Sequence, residues 1–153
     1  FQGVERRMEL YSLPNAHIVL SDYAHHPTEI RRTLEALRES FPKHRLIVFF
    51  QPHLYSRTAF FAKQFGEALS LADHVVLFPI YAAREPSTAG ITSKLIYLHI
   101  GTSVQEEVSL RLGMDRVSSL LKTGGPAVWA FLGAGDIYRL VPQAIQYLTL
   151  TDL

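Results

Sequence analysis

Cysteine is absent from the 153 residues. That excludes a disulfide scaffold, a thiolate metal site and a cysteine nucleophile, and it suits a reducing compartment. An excess of either charge is missing too. The 15 basic and 14 acidic side chains leave a formal net charge of +1, so no broad field steers the chain toward nucleic acid. No apolar run approaches the ~18 residues needed to span a bilayer. The opening segment, Phe1 to Arg7, is polar and doubly basic at Arg6-Arg7, which is not a signal peptide. Phosphate-loop, nucleophile-elbow and zinc-helix patterns (G-x-x-x-x-G-K-S/T, G-x-S-x-G, H-E-x-x-H) are all missing. If the chain works on a nucleoside triphosphate, something outside it must hold most of the triphosphate.

What is present is a chain that is 48% hydrophobic and 19% charged, enough to build one real core. No repeat, low-complexity tract or interior linker divides it, so residues 1–153 read as a single domain. The chain opens at Phe1 and goes at once into strand-like sequence. We therefore expect a domain taken from a longer protein, with part of the machinery elsewhere.

Met8–Leu13 and His17–Ser21 read as strands joined by a Pro14-Asn15 turn. Ile30, Leu34, Leu37 and Phe41 have helical spacing over Thr28–Phe41, with Pro27 in a first-turn position that tolerates proline. "RLIVFF", "HVVLF" and "AVWAFLG" are continuous apolar runs of the kind buried on both faces of a parallel sheet. Between them we expect helices over about Thr58–Leu71, Thr92–Ile100, Asp115–Lys122 and from Asp136 through Tyr147, with an edge strand within Val104–Leu112. After the opening hairpin, this alternation specifies an α/β fold with a doubly wound, mainly parallel, Rossmann-like sheet.

Ligands of such sheets gather outside the carboxyl ends of the strands. The polar residues collect there as well. One strand runs into Ser21, Asp22, Tyr23, His25 and His26. A second runs into Gln51, His53, Tyr55, Ser56 and Arg57, a third into Gly133-Ala134-Gly135-Asp136, and a fourth into Tyr81, Arg84 and Glu85. Asp22 either caps a helix ahead of Pro27 or accepts hydrogen bonds from paired ribose-type hydroxyls. Adjacent imidazoles rarely face one point, so one of His25 and His26 suits a functional role and the other a structural one. His53 and Arg57, four apart on a loop before a helix, suit a carboxylate or phosphate, although Arg57 could equally pair with a surface acid. His17, His44, His74 and His99 read as surface or strand-flanking residues. The "GAGD" turn lacks the third glycine of a dinucleotide loop, since Tyr138 stands there, and reads better as a tight turn that brings backbone close to a small substrate. A metal site built from Asp22, His25, His26 and His53 is the rival reading, but the ligand spacing is wrong for it, and we expect no metal on this chain.

Taken in order, "FQGVERR", "DYAHHPTEI", "VFFQPHLYSRT", "IYAAREP…GITS" and "LGAGDI" resemble the C-terminal domain of the Mur ligases over nearly the whole chain. Within that family the combination is most similar to the member that joins L-alanine to UDP-N-acetylmuramate. The relative that recycles murein tripeptide shares an HHP-type motif but not the Q-P-H-x-Y-S/T-R run. A stand-alone nucleotide-binding module is the other alternative.

The resemblance implies an ATP-dependent, amide-forming, peptidoglycan-building enzyme of the bacterial cytoplasm. N-terminal UDP-binding and central ATPase domains of the same polypeptide would hold Mg²⁺ and most of the ATP, and neither nucleic acid nor membrane would be a partner. The isolated domain would not be active. Carried over residue by residue, the resemblance implies nucleotide contacts at Arg7, Asp22 and Tyr23 and amino-acid contacts at His53, Tyr55, Arg57, Gly133, Ala134 and Gly135. It implies catalytic roles for His25 and Arg57. Two positions depart from the family pattern: Leu54 stands where arginine is common, and Ala82 where proline is common.

Overall fold

In a computed structural model, which describes residues 8–101 and 104–151, one six-stranded sheet runs in the order β1-β2-β6-β3-β4-β5. The strands are β1 (Glu9–Ser12), β2 (Ile18–Asp22), β3 (Arg45–Phe50), β4 (His74–Leu77), β5 (Val104–Glu107) and β6 (Ala127–Leu132). Only β1 is antiparallel, paired Leu10 to Leu20 and Tyr11 to Val19. The parallel strands are linked by α1 (Pro27–Ser40), α2 (Tyr55–Leu69), α3 (Lys94–Tyr97) and α4 (Gly113–Leu121), and α5 (Leu140–Thr151) follows β6.

Each central strand alternates side chains between two cores. Leu20, Leu46, Val48, Phe50 and Ala130 pack against α1, α2 and α3. Val19, Ile47, Phe49, Trp129 and Phe131 pack against α4 and α5. Both faces are therefore covered, which is why β3 and β6 are apolar without interruption. The chain steps outward from β2 through β3 and β4 to β5, then returns to lay β6 between β2 and β3. The reversal opens a crevice at the carboxyl ends of β2, β6 and β3.

Several expected elements shift. The second helix begins at Tyr55, not Thr58, because a distant acid caps it, as described below. The third shortens to Lys94–Tyr97 and continues only as tight turns, with Ile96 and Tyr97 carbonyls accepting from His99 and Ile100. Asp136 does not cap the last helix. Residues Asp136–Arg139 form a 3₁₀ turn and the α-helix starts at Leu140. Pro142 lies in its first turn and has no N–H to give back to Tyr138, which favours the break there.

His17 flanks β2 as expected but is buried (2% exposed), not at the surface. Its Nδ1 accepts hydrogen bonds from the Trp129 indole N–H at 3.2 Å and the Ala127 amide at 3.3 Å. It thus ties the start of β2 to the start of β6. His17→Leu should cost about 1–3 kcal/mol by leaving those donors unpaired. Equilibrium denaturation checks this, and an unchanged midpoint would contradict it.

Candidate active site

The four polar strand ends do meet. The Gly133 amide donates to the Asp22 carbonyl (3.1 Å), joining the β6 turn to the end of β2, and the Gln51 amide donates to the Leu132 carbonyl (3.1 Å), joining β3 to β6. Beyond β4, the Tyr81 amide donates to the Pro52 carbonyl (2.8 Å) and the Leu54 amide to the Tyr81 carbonyl (2.9 Å). These bonds hold the "DYAHHP", "QPHLYSR", "GAGD" and Tyr81 segments as neighbours.

His25 and His26 divide as their adjacency demands. The His26 Nδ1 accepts from the Thr28 amide, and Glu29 answers by accepting from the His26 amide at 3.0 Å, a reciprocal cap on α1 with Pro27 in its first turn. His26, not Asp22, is the capping residue. The His25 Nδ1 lies 3.0 Å from the Tyr23 carbonyl. A carbonyl only accepts, so Nδ1 carries the proton and Nε2 keeps its lone pair.

His53 is arranged the other way round. Arg57 Nη1 is 3.0 Å from its Nδ1, and a guanidinium only donates. The His53 proton therefore sits on Nε2. The two rings meet edge-on with centroids 5.9 Å apart. Burial first, then the neighbouring Arg57 and His25, hold the His53 pKa below the ordinary imidazole value. Neutral His53 is thus favoured by folding. Its share of stability is complete above the ordinary value and fades as pH falls toward the depressed one. Arg57→Ala should raise the His53 titration midpoint, readable by NMR of the ring carbons. A midpoint that stays put or falls would contradict the pairing.

Arg57 lies in the first turn of α2, not on a loop. No acidic residue occupies that turn and Leu54 gives no side-chain cap. Instead Glu85 reaches across, accepting from the Ser56 amide (2.9 Å) and hydroxyl (2.6 Å), which holds its pKa below the usual carboxylate range. Leu54 itself sits at φ 72, ψ 137, a region unfavourable to a γ-branched side chain. Such strain is typical of a functional turn. Arg57 and the His53 ring thus stand together at the start of α2, whose first turn is capped by Glu85. Tyr55 stands beside them, half-buried, at the start of α2.

Asp22 is buried (8% exposed) and its Oδ2 accepts from the Thr33 hydroxyl at 2.7 Å. It borders a separate cavity of about 250 Å³, on the α1 side, with Tyr23, Glu29 and Arg32 among the lining residues. The size suits part of a ligand such as a sugar ring. Gly133, Ala134 and Gly135 are buried beneath the crevice. The space a Gly135 side chain would take is filled by the Tyr81 ring and the Gln51 amide, both 2.5 Å from an ideal Cβ. Close packing, then, accounts for this glycine. Arg7 lies outside the described residues.

Sequence reading gave no substrate role to Tyr81, Gln51 or Glu85 and took Asp136 only as a helix cap, although all four stand at strand ends. The Tyr81 ring stacks on His53 with centroids 5.8 Å apart. Proximity to the other strand ends was the available signal. Among the described residues no group of three or more His, Asp or Glu side chains is placed to hold a metal ion. No helix among them is long and apolar enough to cross a membrane.

The family model for the Mur ligase glutamate ligase domain matches residues 6–134. UDP-N-acetylmuramate–L-alanine ligase of Mycolicibacterium smegmatis is 43% identical over 99% of this chain and 32% of its own length. The crystal structure of UDP-N-acetylmuramate–alanine ligase from Thermotoga maritima superposes with a TM-score of 0.69 at 27% identity, covering 92% of this chain and 29% of that one. A murein peptide ligase from Psychrobacter arcticus shares the fold with a TM-score of 0.65 at 22% identity, covering 92% of this chain and 30% of that one. The chain spans just under a third of the length of the curated relatives it matches.

Proposed function

The chain belongs to the Mur ligase family, and from that premise we propose that it is the C-terminal domain of an ATP-dependent ligase joining L-alanine to UDP-N-acetylmuramate. The observation that carries the reading is the meeting of "DYAHHP" and "QPHLYSR" in one crevice, where Arg57 is turned onto His53 and the His25 ring meets His53 edge-on. Identity above 40% to alanine ligases across almost the whole chain supports alanine over a tripeptide.

The reaction begins when the γ-phosphoryl of ATP passes to the UDP-N-acetylmuramate carboxylate, giving an acyl phosphate. Mg²⁺ and the triphosphate would be held by a central domain outside this chain, where the metal would neutralise phosphate charge. On this domain, Arg57 and the His53 Nε2–H grip the carboxylate of alanine, with Tyr55 flanking them. His25 Nε2 takes a proton from its ammonium. The freed amine attacks the acyl carbon, the C–N bond forms, the bond from the acyl carbon to the phosphate oxygen breaks, and inorganic phosphate leaves with the second amine proton. Asp22 accepts hydrogen bonds from the ATP ribose in the cavity it borders, beside Tyr23, and Arg7 is assigned by the family likeness to the nucleotide phosphates. Gly133–Gly135 form the floor under the amino acid. An acyl phosphate hydrolyses readily, so a domain that completes the site only on closing also keeps water out. An enzyme with these substrates works in the bacterial cytoplasm.

Asp22→Asn keeps an acceptor for Thr33 and removes the charge. In the full-length protein it should raise the KM for ATP about tenfold, the scale of a lost hydrogen bond to a charged group, with little change in Tm. Unchanged ATP kinetics would sink the ribose assignment.

A further inference from the structure

One buried polar side chain at the crevice is one for which the proposed chemistry has no use. Gln51 is 5% exposed, and both ends of its carboxamide are taken. Oε1 accepts from the Ile137 amide at 3.0 Å, and Nε2 donates to the Asp136 carboxylate at 2.6 Å. The partners fix its orientation, because an amide N–H only donates and a carboxylate only accepts. Its main chain is engaged as well, donating to Leu132, while its carbonyl lies 2.9 Å from where a Gly133 Cβ would be. One residue at the end of β3 therefore holds the whole turn that follows β6.

From Gln51 a continuous stack leads to the substrate groups. Its Oε1 and the root of the Tyr81 side chain both close on the space a Gly135 Cβ would take, Tyr81 stacks on His53, and His53 accepts from Arg57. Each contact is at packing distance, with no side chain on Gly135 to cushion a shift. Resting on the ligase reading above, we propose that Gln51 is a positioning residue for the amino-acid half of the reaction. Its carboxamide sets the spacing between the Gly133–Asp136 turn and the Tyr81–His53–Arg57 wall, and so the geometry in which alanine is held. A misplacement of about 1 Å in such a site can cost on the order of a hundredfold in rate.

The test is a reciprocal charge exchange in the full-length protein, measuring phosphate release with ATP, Mg²⁺, UDP-N-acetylmuramate and L-alanine. Gln51→Glu keeps the shape and the acceptor for Ile137 but sets a second carboxylate against Asp136. At pH 8 it should lower kcat/KM for alanine by about tenfold or more, chiefly through KM, with the KM for ATP within about twofold of wild type. As pH falls the two carboxylates share a proton and the hydrogen bond re-forms, so the defect should shrink. Arg139, which interacts electrostatically with Asp136, and Tyr81, which packs on the same turn, are the other ionisable groups facing the pair. Adding Asp136→Asn restores a donor opposite the introduced carboxylate. The double variant should recover to within about threefold of wild type and lose the pH dependence. Gln51→Met, neutral and of similar volume, should show the same KM defect with no recovery at low pH, and it serves if Gln51→Glu does not fold. Wild-type kinetics in both single variants, a defect falling equally on ATP, or failure of the exchange to rescue would overturn the positioning role alone. A wild-type protein that releases no phosphate with any amino acid would overturn the ligase reading, and the positioning role with it.

Discussion

Arg57→Ala in the full-length protein should lower kcat/KM for the amino acid about a hundredfold while leaving the KM for ATP nearly unchanged. The guanidinium is the cation the structure places beside the His53 ring, and Leu54 supplies no second one from the same turn. Removing it deletes a charge-assisted contact worth about 1.5–3 kcal/mol and leaves the bound carboxylate without its counter-charge. It also releases His53 Nδ1, so the ring loses the partner that fixes its proton on Nε2. Arg57→Lys should rescue only part of the loss, because an ammonium cannot hold a ring nitrogen and a carboxylate in one planar fork. Steady-state kinetics with alanine and ATP varied separately checks this. An equal loss on both substrates would mean that Arg57 serves the fold or domain closure instead.

Gly135→Ala should be the most damaging single methyl in the crevice. An ideal Cβ there lies 2.5 Å from both the Tyr81 ring and the Gln51 amide oxygen, closer than real contacts allow. Tyr81 is held by its own backbone bond to Pro52 and Gln51 by two side-chain bonds, so neither yields cheaply. Overpacking of this kind costs about 1–3 kcal/mol, a fall of several degrees in Tm for a chain of this size. The displaced Tyr81 should carry His53 with it and reduce amino-acid turnover further. Gly124 is the control. Its φ of +92 is unfavourable to alanine, but nothing lies within 4 Å of the added carbon. Gly124→Ala should therefore cost about 1 kcal/mol of backbone strain and leave turnover alone. Equal stability and turnover in the two variants would contradict the packing account.

The sheet was legible because burial on both faces writes itself into the sequence. "RLIVFF" and "AVWAFL" have no polar interruption, and each ends in a cluster of polar residues that the carboxyl-edge rule sends to one crevice. Pro27 was legible for a local reason, since a first-turn proline acts within its own turn, but the cap beside it falls to His26 and not to Asp22. Other features depend on contacts across long stretches of chain. Glu85 caps α2 from 29 residues beyond Ser56, so nothing near Tyr55 announces the helix start. His17 looks like a polar flank until Trp129, 112 residues on, donates to it. Gly135 resembles a substrate turn in sequence, and only the position of Tyr81 shows that packing requires it. The proton positions on His25 and His53 follow from a carbonyl and a guanidinium that no spacing rule would pair with them.

The most direct test of the ligase reading is phosphate release by the full-length protein with ATP, Mg²⁺ and UDP-N-acetylmuramate, offered a panel of amino acids and the murein tripeptide in turn. The proposed site predicts release that depends on L-alanine, with the coupled UDP-N-acetylmuramoyl-alanine as product, and loss of that dependence in Arg57→Ala. Release with the tripeptide but not with alanine, or no release with any of them, would contradict it.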